Sequence, residues 1–340
     1  MKKKAPWLAA LVLLLAVPLL LVWNYYNAKL DRIQYDDGSR PIDASVSLPA
    51  GELDVSGLPE APAATPAPLL ESEIYQDDDV VNLLLLGTDE RTDQFSDNAR
   101  ADAILVLSLD TDAHTARLVS IERGIGVPVP GRPDDWLTHT FRYGGAALTM
   151  QTVRDCFRLD VQNYVRINFH MFEKAIDTIG GVDIPLTPAE AECIERYRVN
   201  YSSYHHLQPV QAGPNHLDGA TALFYARIRE IDSDWKRIER QRTVIQAAVD
   251  RVKGLSLSEL NRLADTVLPM VQTDLEKSQI TALLLEVPGF LAQGVELEQM
   301  TIPAEGTAWS RVGTDGRSLI GVDFEANARI MREFFYEIIE

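Results

Sequence analysis

A short segment of this chain concentrates basic residues in a way that suits an anionic ligand. The formal net charge of the 340 residues is −18, yet the segment 217–242 places several cations beside Tyr225 and Gln241, namely Arg227, Arg229, Lys236, Arg237, Arg240 and Arg242. A guanidinium group offers a planar fork of donors that matches two phosphate oxygens at once. The segment therefore predicts a pocket for a phosphate-bearing ligand. The competing interpretation is a solvated helix face that pairs with its own acids, Glu230, Asp232, Asp234 and Glu239.

Two carboxylates and three arginines in the first half of the chain suit the same chemistry. Asp89 follows the apolar run VVNLLLL, and Asp102 precedes the run ILVLSLD. If these runs are paired strands, both carboxylates lie at one end of a sheet. There they can bind Mg²⁺ together with phosphate oxygens, because this ion keeps several waters and takes few protein ligands. Arg91, Arg100 and Arg123 are candidate phosphate contacts. The alternative is that all five are ordinary loop acids and surface arginines.

Other catalytic signatures are absent from the sequence. It has no Walker-type glycine loop, no H-E-x-x-H and no G-x-S-x-G. Its six histidines lack the spacing of metal ligands. Cys156 and Cys193 are too few for a disulfide framework, and they either pair or remain buried thiols. The acidic chain offers no reason to expect a nucleic acid partner.

Alternating helices and strands must hold these residues in place. Strands are predicted at 80–86, 104–110, 116–122, 161–169 and 182–186, and the turn at 111–114 predicts an antiparallel hairpin. Helices are predicted at 145–157, 170–179, 188–199 and 220–226, with a long helix from about 235 to 253. The segment 227–229 is either helical or extended, and only the extended form puts Tyr225, Arg227 and Arg229 on one face. The alternation predicts a layered α/β domain with a mixed sheet.

The first residues predict a membrane anchor. After MKKK, residues 7–23 are uncharged and long enough to cross a bilayer core of roughly 30 Å, and Trp7 and Trp23 would lie at its two interfaces. The positive-inside rule makes this a single-pass protein of the cell membrane with its C-terminal domain outside. A cleaved signal peptide is the alternative, although no A-x-A-like site follows. The predicted organisation is a cytoplasmic tail at 1–6, an anchor at 7–23, an acidic proline-rich linker at 24–79 and a catalytic domain at 80–340.

An ordered set of motifs resembles the LytR–CpsA–Psr family, whose members are membrane-anchored enzymes of Gram-positive bacteria. The motifs are NLLLLGTDER at 82–91, R-x-D at 100–102, LVSIER at 118–123, FRYGG at 141–145, IDTIGGVDIPL at 176–186, LDGATALFYARIR at 217–229 and DWKRIERQR at 234–242. The resemblance implies a three-layer α/β/α sandwich with a mixed central sheet. It also implies a Mg²⁺-dependent phosphotransferase that moves an anionic glycopolymer from a polyprenyl-pyrophosphate lipid to peptidoglycan.

The resemblance also implies roles for individual residues. Catalysis is assigned to Asp89, Asp102 and Arg123, and the two acids hold Mg²⁺. The pyrophosphate is assigned to Arg100, Arg123, Tyr225, Arg227, Arg229, Arg237, Arg240 and Gln241. A groove for the lipid tail is expected to be lined by Val165, Ile167, Phe169, Phe172 and Ile176. The chain departs from the family pattern where Glu122-Arg123-Gly124 replaces P-R-D and where Ala101 replaces Ser.

The same residues would also serve two other functions. A pyrophosphatase of the same lipid would use water in place of a sugar hydroxyl, and a non-catalytic module would only capture the lipid-linked polymer. The presence of both Asp89 and Asp102 disfavours the non-catalytic module, because binding alone would not need these acids. We further expect Asp102→Ala to abolish metal-dependent turnover while leaving thermal stability similar or higher, because it would relieve repulsion among the carboxylates of the site.

Overall fold

The computed structural model describes residues 24–337, apart from residues 44, 47, 49–52, 54, 56, 63–70 and 295. The predicted anchor at residues 7–23 lies outside the described residues. Among the residues that are described, no helix is both long and apolar enough to span a bilayer.

Strands and helices alternate along the described chain. The strands are β1 (Gln34–Tyr35), β2 (Val80–Thr88), β3 (Ala101–Asp110), β4 (Thr115–Ile121), β5 (Gly126–Val127), β6 (Asp135–Trp136), β7 (Val161–Asn168), β8 (Val182–Leu186), β9 (Gly213–Leu217), β10 (Gln272–Thr273), β11 (Leu297–Ile302), β12 (Ala308–Val312) and β13 (Ser318–Val322). Residues 24–30 are helical and are labelled α1. The other helices are α2 (Leu137–Phe157), α3 (Phe169–Thr178), α4 (Pro188–Asn200), α5 (Gly219–Tyr225), α6 (Asp234–Lys253), α7 (Leu257–Val267), α8 (Lys277–Gln293) and α9 (Phe324–Tyr336), with 3₁₀ turns at Ser202–Tyr204 and Leu268–Met270.

A mixed sheet forms the centre of the domain, as the sequence predicts. Within the described part of the chain its strand order is β1-β10-β7-β2-β3-β4-β11. Strand β2 runs parallel to β7 and antiparallel to β3, and β3 and β4 form the predicted hairpin. The β2 strand is mostly apolar because both of its faces are covered to some degree.

Helices lie on both faces of this sheet. Strand residues such as Leu84, Ile104 and Val119 pack with residues of α2 and α9 on one face. On the opposite face, Val165 and Ile167 of β7 pack with Met171 of α3 and with residues of α1, α7 and α8. A second cluster joins β8 and β9 to α3, α4, α5 and α6. The layered α/β prediction is confirmed.

One predicted helix begins earlier than expected, and one alternative that the sequence left open is decided. The helix predicted at 145–157 starts at Leu137 and is interrupted at Gly144 and Gly145, where Gly145 takes a positive φ of 72° that favours glycine. The short helix α5 stops at Tyr225, so Arg227 lies in a turn and Arg229 follows in irregular backbone. The open question about 227–229 is thereby answered, since this segment does not continue the helix.

Part of the predicted linker packs on the domain. Leu30 and Ile33 are buried with Val271, and β1 joins the sheet beside β10. Further along, Leu53 is buried in the main core. Cys156 and Cys193 are both buried free thiols, and they belong to different hydrophobic clusters.

Candidate functional site

The two predicted metal-binding acids lie at the same end of the sheet. Asp89 follows β2 directly and accepts hydrogen bonds from the Arg100 backbone N–H at 3.0 Å and from its guanidinium at 3.3–3.4 Å. Asp102 is the second residue of β3, not the residue before it. The register shifts here, since Gly87 pairs with Ala103 while the next residue, Thr88, pairs with Ala101.

This β-bulge explains the direction of the Asp102 side chain. Strict alternation along β3 would put Asp102 on the same face as Ile104, which lies in the main core. The extra residue of a bulge is released from the ladder and can point elsewhere. Asp102 instead meets Arg123, whose Nη1 donates to its Oδ1 at 2.9 Å.

Asp234 connects Arg123 to the second group of arginines. Its carboxylate lies 3.7 Å from Arg123, 3.2 Å from Arg229 and 3.4 Å from Arg237. It is the first residue of α6, and Ser233 caps the helix by accepting from the Lys236 N–H. The tertiary structure thus brings the end of β4 against the beginning of α6.

The arginines are packed closely enough to disfavour one another's charge. Burial, followed by Arg237 and Arg123, lowers the pKa of Arg229 to about 10. Burial and Arg123 also lower the pKa of Arg237, and burial with Arg91 lowers that of Arg227. The Arg227 guanidinium lies over the Phe169 ring at 4.3 Å. We call Arg100, Arg123, Arg227, Arg229 and Arg237, with Asp89, Asp102 and Asp234, the arginine site.

Burial alone would raise the pKa of Asp102, but its cationic neighbours outweigh burial. Arg123, Arg237 and Arg229 hold the pKa of this carboxyl below its ordinary value. Asp102 is therefore an anion that compensates part of a dense positive charge. An additional anion at the arginine site would relieve the remaining repulsion.

Glu122 is a buried acid that the sequence predictions did not assign to the site. Its side chain is 0% exposed, and Oε1 accepts from the Gly124 N–H at 3.1 Å. Oε2 has no hydrogen-bond partner among the described residues. Complete burial raises the pKa of Glu122, while Arg237 and Arg123 act in the opposite direction. The acid that this chain carries before Arg123 thus lies behind the arginine site.

Three predicted phosphate contacts occupy a second tier. Arg240 is buried and pairs with Asp232. Its guanidinium donates to Glu190 at 2.7 Å and to the Ile228 carbonyl at 3.0 Å. Tyr225 is buried in the cluster of β8, β9 and the outer helices, and burial raises its pKa to about 12. Gln241 is half-buried on α6, about two helical turns after Asp234. Arg240 therefore positions the Arg227–Arg229 segment from behind.

A buried ion pair fixes the loop that carries Asp89. Arg166 of β7 pairs with Glu90 and donates to the Ser96 carbonyl at 3.0 Å and to Thr88 at 3.2 Å. Its guanidinium also lies over the Phe95 ring at 4.4 Å. The position of Asp89 is therefore set by tertiary contacts as well as by strand β2.

An apolar surface runs along the sheet from the arginine site. Pairing places Leu85, Leu105 and Val165 side by side on the face away from α2 and α9, and Gly87, Ala103 and Ile167 form the next row. Although the strands are central, Leu85, Ala103, Leu107, Val165 and Ile167 are only partly covered. Apolar residues that stay partly exposed inside a sheet are available to contact an apolar ligand.

Helix α8 extends this apolar surface. Ile280 packs beside Val165 and Ile167, and the helical spacing continues to Leu284, Val287 and Leu291, which are 50%, 42% and 57% exposed. Of the groove residues predicted from sequence, Val165 and Ile167 line this surface. Phe169 instead supports Arg227, and Phe172 and Ile176 pack in the outer cluster.

The donor set of Asp89 and Asp102 fits a magnesium ion shared with phosphate. Arg123 donates to the Oδ1 atom of Asp102, and carboxylate oxygens carry further lone pairs that could bind a metal. Within the described residues, no group of three or more His, Cys, Asp or Glu side chains is placed to hold a metal by itself. Phosphate oxygens and water would have to complete the coordination sphere, which is normal for Mg²⁺.

The sequence contained a signal for Asp234 but none for the burial of Glu122. Asp234 and Arg237 stand three residues apart on a helix, a spacing that places them on one face. Phe169 and Glu122 become recognisable only when β4, β7 and the 226–233 loop are brought together.

Comparisons with known proteins agree with the motifs. Residues 59–332 match the model of the LytR_cpsA_psr family. A protein of Oceanobacillus iheyensis named polyisoprenyl-teichoic acid–peptidoglycan teichoic acid transferase TagU is 33% identical over 227 residues, which are 64% of this chain and 66% of that protein. TagT of Bacillus subtilis, with the same transferase name, is 32% identical over 216 residues, 63% of this chain and 62% of that protein. The chain thus spans just under two thirds of these two relatives. A solved structure, "TagT bound to LI-WTA", superposes with a TM-score of 0.60 at 25% identity and covers 80% of this chain and 96% of that one.

Proposed function

The chain belongs to the LytR–CpsA–Psr family, and from that premise we propose that it is a phosphotransferase of the cell wall. Its donor is an anionic glycopolymer carried on a polyprenyl pyrophosphate, and its acceptor is peptidoglycan. One observation carries the proposal: a cluster of arginines with depressed pKa values and two strand-end carboxylates stands at the end of a partly exposed apolar surface. A pyrophosphate attached to a long lipid has this same combination of charge and hydrophobicity. Relatives named as teichoic acid transferases support the choice.

The arginines would hold the pyrophosphate in place. Arg100 and Arg229 are the most accessible, with 43% of each side chain exposed. Arg227 is partly exposed, and Arg123 and Arg237 are buried. Fixed cations stabilise the charge that develops on the leaving phosphate, and this effect supplies most of the catalysis in phosphoryl transfer. The partly covered residues Leu85, Leu107 and Val165 would receive the first isoprene units.

The reaction is a displacement at the phosphorus that bears the glycopolymer. A sugar hydroxyl of the acceptor forms a new O–P bond, the bond from phosphorus to the bridging oxygen breaks, and polyprenyl phosphate leaves. The proton of the hydroxyl passes to a carboxylate. Asp89 is the candidate because it is more accessible than Asp102, with 26% of its side chain exposed against 18%.

Magnesium would be held by Asp89 and Asp102. When bound, it neutralises phosphate charge and orients the two phosphoryl groups. Arg123 keeps Asp102 ionised and oriented toward the site, and the Arg100 guanidinium donates to Asp89 and holds its side chain in place. The requirement for metal is tested by comparing turnover in Mg²⁺ with turnover in a chelator.

The proposed location follows from the N-terminal segment. Residues 7–23 would cross the cell membrane once, and the domain from about residue 80 would lie outside it, near the lipid donor. The α1 helix and β1 would bring the anchor to the sheet edge, because Lys29 and Arg32 both pair with Asp265 of α7. Protease added to intact protoplasts should digest the domain, and full protection would exclude this topology.

Product analysis tests the function. The full chain in liposomes, supplied with lipid-linked anionic polymer, peptidoglycan fragments and Mg²⁺, should yield polymer attached to peptidoglycan and free polyprenyl phosphate. Free phosphorylated polymer without attachment would identify a pyrophosphatase, and an unchanged donor that remains bound would identify a capture module. Arg227→Ala should lower the transfer rate at limiting donor about tenfold or more, whereas Arg329→Ala should not, because Arg329 is an exposed residue of α9 that pairs with Glu333.

A further inference from the structure

Aromatic rings gather at the end of α4, beside the loop that carries Arg227. The Tyr197 ring stacks on Tyr201 with centroids 4.9 Å apart, and it contacts Tyr204 and Phe224 at 5.2 and 5.1 Å. Tyr204 also contacts Phe224 at 5.2 Å. We call Tyr197, Tyr201, Tyr204 and Phe224 the aromatic platform.

Packing explains the inner rings of the platform but not the outermost one. Tyr197, Tyr204 and Phe224 pack against the cluster of β8, β9 and the outer helices. Tyr201, in contrast, is 51% exposed although it is stacked on Tyr197. The adjoining residues 202, 203, 205 and 206 are exposed serines and histidines. The result is a rigid ring face surrounded by hydroxyl and imidazole groups.

A balanced pair of charges flanks the rings. Arg196 lies over the Tyr197 ring at 5.7 Å and donates to Glu230 at 2.9 Å. Both side chains are about half exposed. Unlike the arginine site, this surface has no excess of positive charge among these residues. It offers charged donors and acceptors together, which suits an uncharged ligand with many hydroxyl groups.

The platform borders the arginine site. Glu230 follows Arg229 directly in the loop between α5 and α6. The Arg227 N–H also donates to the carbonyl of Phe224, a platform residue, at 3.0 Å. A ligand that reaches from the platform toward Arg227 would therefore place a hydroxyl beside the proposed pyrophosphate.

The negative face of an aromatic ring attracts the weakly positive C–H groups of a sugar ring. We propose that the aromatic platform binds the glycan of the peptidoglycan acceptor, with a sugar ring on Tyr201 and its polar groups on Arg196 and Glu230. This inference rests on the proposed transferase function. The balanced charge favours a neutral glycan strand over the anionic donor polymer, which would prefer a cationic surface. The platform also lies on α4, the turn that follows it and α5, whereas the apolar surface for the lipid is built from β2, β3, β7 and α8. The acceptor and the lipid thus approach the phosphates from different elements, as a displacement requires.

Transfer kinetics with the full chain in liposomes provide the first test. Tyr201→Ala should raise KM for peptidoglycan glycan fragments about tenfold, while KM for the lipid-linked donor stays unchanged, because one stacked ring contributes roughly this much. Tyr201→Trp should restore acceptor binding. The matched control is Tyr75→Ala. Tyr75 is 39% exposed, and its ring contacts the ring of Tyr336 with centroids 4.6 Å apart, on a part of the domain that does not include the platform. An unchanged acceptor KM in Tyr201→Ala, or a change in donor KM alone, would overturn the proposal.

Direct binding separates this proposal from the proposed function. Uncharged peptidoglycan glycan fragments, titrated by NMR against the wild-type chain without donor, should bind through Tyr201 and lose about tenfold in affinity in Tyr201→Ala. If the wild-type chain only hydrolyses the donor but binds the fragments in this way, the platform is supported and the transferase is not. If the chain transfers polymer normally while the fragments bind wild type and Tyr201→Ala equally, the transferase stands and the platform is refuted.

Discussion

Replacing Asp102 by Asn tests whether its charge compensates the arginine site. Its Oδ1 accepts from Arg123 at 2.9 Å, and the two side chains are 18% and 9% exposed. Arg237, Arg229 and Arg100 also act on its pKa. Its closest charged neighbours are therefore arginines, so the sequence-based expectation that removing Asp102 preserves or raises stability no longer holds. The structure reverses the sign, because losing this acid leaves cations uncompensated.

The magnitude follows from the burial of the pair. Removing one partner of a fully buried ion pair costs about 3–5 kcal/mol. Because Asp102 is partly exposed, water can screen the cation that remains after the substitution. We therefore expect the free energy of unfolding to fall by about 2–3 kcal/mol. In a domain of this size, a loss of that order lowers Tm by about 4–9 °C.

Thermal unfolding at neutral pH measures this loss. The matched control is Asp112→Asn, because Asp112 is an exposed residue of the turn between β3 and β4. Inorganic pyrophosphate should narrow the difference between Asp102→Asn and wild type, since a bound anion replaces part of the lost charge. If Asp102→Asn is as stable as wild type without pyrophosphate, Asp102 is not the compensating charge. If the variant also keeps Mg²⁺-dependent turnover, the metal assignment is wrong.

Three further variants test separate parts of the structure. Arg227→Ala should weaken binding of the lipid-linked donor about tenfold or more, as one charge-assisted hydrogen bond is removed; Arg329→Ala should bind the donor like wild type in the same equilibrium assay. Glu122→Gln should be more stable than wild type at pH 7. Burial raises the pKa of Glu122 in the folded state, so the wild-type protein loses stability as the pH rises above the pKa of this group in the unfolded chain. The gain should disappear near pH 4 in urea unfolding, and a gain independent of pH would contradict the assignment. His216 bonds Asp183 at 2.7 Å, and this hydrogen bond, followed by one to a backbone carbonyl, raises its pKa. The charged His216 should therefore stabilise the fold below about pH 6.5, and this contribution should be lost as the pH rises through the raised pKa of the folded state. His216→Gln should lower the free energy of unfolding by less than about 1 kcal/mol at pH 6 and leave it unchanged at pH 9.

The sequence by itself determined the features that depend on local pattern. Apolar runs of strand length identified β2, β3 and β4, and the turn between the last two predicted their hairpin. The glycine pair at 180–181 marked the end of α3, and both residues take positive φ angles of 86° and 88°. The motifs identified the family, since residue types at set spacings can be compared without coordinates. These features are readable because hydrophobic period and turn chemistry act over a few residues.

The charge and exposure of individual site residues were decided only by the tertiary structure. Asp102 reads as a residue before a strand, and only the register of β2 against β3 reveals the bulge that turns it toward Arg123. From sequence, Asp234 is one of several acids that could pair with bases on its own helix, and only the contact of α6 with the end of β4 brings it to Arg123. Tyr201 reads as one tyrosine among several until the rings of α4 and the following turn stack. Each case depends on residues far apart in the chain, and the distance between two charges or two rings sets their interaction energy, which no local pattern contains.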